Sequence, residues 1–141
     1  MNDLARRVLE TWRAAGVARD DDESLRDFEA NLEKLRARGV RLPPSFVALW
    51  RLSDGTAAMD DHEMIFWPLD NVLDDPSRDP SSRDLVFADY RLGSTSFFLR
   101  LEGDAASVHR VRDSRPETSE RVAESFEDFL ERYLQAPVSL R

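Results

Sequence analysis

The chain is expected to fold as a single α+β domain, a mostly antiparallel sheet of four or more strands with helices packed on one face. Three observations lead there. Apolar residues recur at helical spacing at both ends of the 141-residue chain. Runs with a period of two occupy its middle. Within the middle run Phe97, Leu99 and Leu101 alternate with Phe98, Arg100 and Glu102, the half-polar pattern of an antiparallel sheet covered on one side.

The first helix follows from Leu4, Val8, Leu9, Trp12 and Ala15, with Gly16 placed to end it. Leu25, Phe28, Leu32 and Leu35 form the stripe of a second helix. Its first turn carries Asp22 and Glu23, its last turn carries Lys34, Arg36 and Arg38, and Gly39 suits the position just past its end. That charge order is what a helix dipole prefers, so the acidic run at 19–23 has a structural explanation. In "LPPSFVALWRLSDGT" (42–56), Pro43 sets an extended approach and Pro44 can occupy the first turn, where its missing N–H costs nothing. Phe46, Val47, Leu49, Trp50 and Leu52 then make a short helix built for burial, which Ser53-Asp54-Gly55 stops.

After Gly55 the period changes. "EMIFW" (63–67) reads as a strand with Met64 and Phe66 on one face and Ile65 and Trp67 on the other, ended by Pro68. "LDNVLDD" suits a turn of helix, and "DDPSRDPSSRD" (74–84) an exposed loop. Three strands in meander follow: 85–90, 96–102 and 108–113, with Gly93 and Gly103 in the connections. Val108 and Val111 break the alternation of the third, which predicts a bulge or an early end. The last helix starts at Ser125, a good N-cap, with Asp128 completing a variant capping box. Phe126, Phe129, Leu130, Tyr133 and Leu134 form its stripe, and Pro137 ends it.

Composition narrows the function classes. There are no cysteines, so thiolate nucleophiles, disulfides and zinc ribbons are excluded, and a reducing cytoplasm is expected. "MNDLARRVLETW" lacks the apolar core of a signal peptide, and no apolar run reaches the ~20 residues of a membrane helix. The formal charge is −8, and each half of the chain holds 10 bases and 14 acids. With no concentrated basic block, nucleic acid is not an expected partner, whereas a basic protein is. Lys34 is the single lysine among 20 basic residues, a bias that hints at a GC-rich bacterial source.

Catalytic and cofactor motifs are absent. The five glycines never come closer than ten residues, which excludes a glycine-rich phosphate loop. Two histidines, His62 and His109, cannot make a three-histidine metal site. No nucleophile-elbow sequence supports a serine triad. The best candidate for ion chemistry is "DDHE" at 60–63, whose ordinary reading is a solvated loop, and no cofactor or metal is expected. Trp12 and Trp50 read as core. Trp67, at a strand end, is the tryptophan expected to keep an exposed edge.

The order "LPPSF…L…DG" (42–55), "VFADY…G…FF" (86–98), "VHRV" (108–111) and "VAESFEDFL" (122–130) resembles the SUKH superfamily of bacterial toxin-immunity proteins and fungal cell-wall-synthesis regulators. Residues 19–135 carry the resemblance within a 1–141 domain, with 1–16 as an additional N-terminal helix. Asp54 stands where an asparagine is more usual, and His109 where an aromatic residue is often found. The resemblance implies a non-enzymatic binding protein that occludes a cognate toxin, such as a basic nuclease, or else a regulatory domain with a housekeeping partner. It implies no catalytic residue. From the residues themselves, Asp60, Asp61, Glu63, Trp67, Asp89 and Tyr90 are the partner-binding candidates, carboxylates around an aromatic anchor. The oligomeric state is left open between monomer and weak dimer.

Overall fold

Among the described residues five strands hydrogen-bond in the order in which they occur along the chain, every neighbouring pair antiparallel. They are β1 (Met64–Phe66), β2 (Asp84–Tyr90), β3 (Thr95–Glu102), β4 (Ala105–Arg112) and β5 (Glu120–Ala123). The helices are α1 (Asn2–Ala14), α2 (Asp22–Ala37), α3 (Pro44–Trp50), α4 (Leu69–Leu73) and α5 (Phe126–Gln135), with 3-10 turns at Pro116–Thr118 and Pro137–Leu140. This computed structural model describes residues 2–73, 83–103 and 105–141. The expected loop at 74–84 therefore lies, for residues 74–82, outside the described residues. The α+β class with helices on one sheet face is as the patterning predicts.

Local signals act where the sequence places them. The acidic run caps α2: the Asp21 carboxylate accepts the Ser24 N–H at 3.0 Å and the Ser24 hydroxyl at 2.7 Å. That hydroxyl bond is the main reason its pKa falls below the usual aspartate value. At the other end of α2 Gly39 adopts φ +78°, and Val40 N–H reaches back to Leu35 C=O. Pro44 opens α3, as expected. In α5 the Ser125 hydroxyl accepts the Asp128 N–H at 3.0 Å, while the Asp128 carboxylate accepts the Glu124 N–H at 3.3 Å. The capping box is thus closed on the N–H one residue upstream of its usual donor.

Helices α1, α3 and α5 pack together over the sheet, and α2 lies against α4. The core between is largely aromatic: Trp12, Phe46, Trp50, Phe66, Phe87, Phe97, Phe126, Phe129 and Tyr133 are all fully buried. Phe46 stacks on Trp50 with centroids 3.9 Å apart, and Phe126, Phe129 and Phe46 meet the edge or face of Phe87 at 5.3–6.2 Å. Phe87 follows the alternation of β2, and a bulge there sets Ala88 beside it on the same face. Val86 pairs with Phe98 and Ala88 with Phe97, so Phe87 and Ala88 are both turned toward the helices.

Two departures from the sequence reading have clear causes. β4 begins at Ala105, three residues before its expected start, because Ala105 to Ser107 pair fully with β3. β5 was not expected. Its ERVA sequence has little strand signature because it is an edge strand, and only Val122 and Ala123 turn toward the core. Its register against β4 shifts between Val108 and His109, where β5 contributes the extra residue. A short, bulged, charged edge resists pairing with other chains.

Candidate interaction surface

Alternation fixes what the sheet presents on the face away from the helices. Cross-strand pairing groups Ile65 with Asp89, Val86 with Phe98 and His109, and Asp84 with Arg100. None of these belongs to the main core. Phe98 is nonetheless only 6% exposed. The His109 ring stacks on it at 5.2 Å and 16°, and the Arg100 guanidinium lies 5.5 Å from its centroid. Arg100 is held in turn by two hydrogen bonds to the Asp84 carboxylate, at 3.1 and 3.3 Å. His109 Nε2 lies 2.9 Å from the Ser107 hydroxyl. Burial, with the nearby Arg100 charge second, lowers the His109 pKa, so this ring is neutral near pH 7.

The tryptophan expected to keep an exposed edge sits beside this face. Trp67 is half-buried, and its Nε1–H donates to Asp89 Oδ2 at 2.9 Å. Asp89 is 8% exposed. Burial raises its pKa against the opposing effects of the Trp67 bond and the Gly93 N–H. Two of the six candidate residues are therefore brought together, on one face.

The next residue, Tyr90, points the other way, opposite Met64 and Thr95, and its ring is covered by the Arg91 and Arg141 guanidinium groups at 5.2 and 5.1 Å. Arg91 also bridges to Glu63: its Nε–H donates to the Glu63 carboxylate at 2.7 Å, which is the leading cause of that carboxyl's lowered pKa. Both side chains are about half exposed, so the pair orients the loops more than it stabilises them.

The "DDHE" run does not act as one cluster. Asp60 turns inward at 8% exposure. Its Oδ1 accepts the His62 and Met64 N–H groups at 2.8 and 3.0 Å, and its Oδ2 accepts the Tyr133 hydroxyl. Tyr133 in turn accepts the Trp12 indole N–H at 3.1 Å. Burial first, and Asp60 second, push the Tyr133 pKa far up, so the phenol remains a donor. Asp61 is exposed, His62 faces the Tyr133 ring edge-on, and Glu63 goes to Arg91. The four side chains diverge, and among the described residues no three metal-ligating groups converge. Asp60 is thus a joint between α1, α5 and the loop before β1. Tyr133→Phe is expected to cost about 1.5 kcal/mol in urea unfolding, because it strands two buried polar groups. A neutral substitution would remove that role.

One end of the sheet has a further property. Glu63, Arg91, Leu92, Asp113 and Ser114, the non-glycine residues with positive φ among those described, all lie where β1 starts and β2 and β4 end. Such backbone costs on the order of 1 kcal/mol per residue. Leu92, at the tip of the β2–β3 turn, is 85% exposed, the most exposed large apolar side chain among the described residues. Sequence reading passed over Leu92, although a leucine beside Gly93 in an otherwise polar turn was the available signal.

Residues 21–132 match the model of the SMI1 / KNR4 family (SUKH-1). The chain belongs to that family. No curated protein matches it. For this SUKH-1 member the motifs read from sequence lie at structural positions. The Asp54-Gly55 turn passes against the backbone of β1, and Phe126 and Phe129 fill the core. Family membership accords with a protein-interaction role, immunity or regulatory, and no helix among the described residues is long and apolar enough to cross a membrane.

Proposed function

We propose that this SUKH-1 chain is a non-enzymatic immunity protein, which neutralises a cognate bacterial toxin by covering its active site. The observation that carries this reading is the family match over residues 21–132. The charge of −8 supports a basic partner, such as a nuclease, because opposite net charge speeds encounter. Occlusion requires a patch of about 800 Å² on each partner. The proposed patch is centred on Trp67 with Asp89 beside it. Asp61 and Glu63 form its rim toward the strained sheet end, and Leu92 adds an apolar tip there. Asp60 and Tyr90 support it from inside.

The test is titration calorimetry against the product of the adjacent gene. Trp67→Ala is expected to weaken the complex at least tenfold, as removal of an aromatic anchor does. Asp61→Ala combined with Glu63→Ala is expected to weaken the complex at low salt and flatten its dependence on salt. Unchanged affinity and salt dependence in both variants would move the interface elsewhere.

A further inference from the structure

On the helical side, a groove of about 510 Å³ runs between the C-terminal end of α2 and α3, lined by Leu32, Val40, Leu42 and Val47 with Arg36 and Arg41. Its floor is apolar: Leu32 is 2% exposed, and the other three apolar residues are half-buried. Its surroundings reverse the charge of the molecule. From 33 to 42 the chain carries Lys34, Arg36, Arg38 and Arg41 against the single acid Glu33, a balance of +3 within a chain of −8, while Arg51 further along is held by Glu29 at 2.8 Å. Lys34, Arg36, Arg38 and Arg41 are exposed. Arg36 pairs with Glu33 at 3.2 Å, on the exposed surface where such a pair exchanges readily with another carboxylate.

We infer that this groove is a second docking site, for a segment of a partner protein that combines apolar with acidic side chains. Its volume falls in the range of specific binding clefts. Leu or Ile side chains at helical spacing can reach the floor while carboxylates meet the arginine rim. Charge decides the class of occupant, since a basic segment would meet like charge. It also argues against a second copy. A basic groove on the acidic exterior of another copy is a head-to-tail contact, which builds rings or filaments instead of the common two-fold dimer. The open sheet face is not part of this groove, so the two surfaces can be occupied at once, and the groove stands whether or not the toxin reading holds.

The probe is a phage-displayed library of random twelve-residue peptides, selected on the intact chain and counter-selected on Arg36→Glu combined with Arg41→Glu. Both positions are exposed, and circular dichroism checks that the variant folds. The expected result is a set of peptides pairing Asp or Glu with Leu, Ile or Phe, which bind at least tenfold more weakly to the charge-reversed chain and shift the amide resonances of Val40, Leu42 and Val47. Failure to select any peptide, selection of basic peptides, or equal binding to both chains would each overturn the assignment. So would concentration-dependent self-association abolished by the same double variant, which would make the occupant another copy.

Discussion

Replacing Gly55 with alanine is expected to destabilise the fold by about 4 kcal/mol, the scale reserved for a named steric conflict. Gly55 adopts φ +70°, and a Cβ placed on it would stand 2.4 Å from Phe66 O and 2.7 Å from the Trp67 carbonyl carbon and oxygen. The left-handed backbone alone costs an alanine about 1 kcal/mol. The rest comes from the clash, because backbone atoms of a paired strand cannot swing aside as a side-chain end could. The approach has a structural purpose. It brings Thr56 against β1, where its N–H donates to Phe66 O at 2.7 Å and its Oγ1 accepts the Phe66 N–H at 3.0 Å. The turn thereby seals the outer edge of β1. Urea unfolding measures the effect, and a loss under about 1 kcal/mol would mean that the turn is looser than its geometry.

Asp54→Asn is expected to act in the opposite direction, and only where the carboxyl is charged. Asp54 is 1% exposed and accepts the Leu69 N–H at 3.0 Å, capping α4. Burial raises its pKa from 3.8 to about 6, against the lowering effects of that bond and of the Arg19 charge. The folded chain therefore holds this proton more tightly than the unfolded one. Its contribution to stability is most favourable below pH 4, declines as pH rises from about 4 to about 6, and is unfavourable by about 2–3 kcal/mol above that. Asparagine keeps the acceptor for Leu69 without the charge. Unfolding free energies at pH 7.5 are expected to favour the variant by about 2 kcal/mol, with the gain vanishing near pH 4. An equal effect at both pH values would show that the carboxyl is not the cause.

What was legible in the sequence was whatever repeats or caps. The stripe from Phe126 to Leu134, the Ser125 cap, Pro44 at the start of α3 and the alternation through Phe97 to Glu102 all appear where their periods put them. Patterns set by partners far away in the chain were not legible. Nothing in four consecutive polar residues says that Asp60 turns inward to Tyr133 while Asp61 stays outside. Alternation correctly turned Phe98 away from the helices, but its cover by His109 depends on the register of β4. The α2–α3 groove is likewise invisible residue by residue, because its floor is assembled from two helices and the loop between them.

The Trp12–Tyr133 hydrogen bond has one more consequence. Neither residue falls within the 21–132 stretch by which the family is identified, yet both are fully buried, and together they tie the first helix to the last. Kinship and packing accordingly have different edges in this chain. Ancestry can be read from the middle, while part of the buried core is supplied by its two flanks.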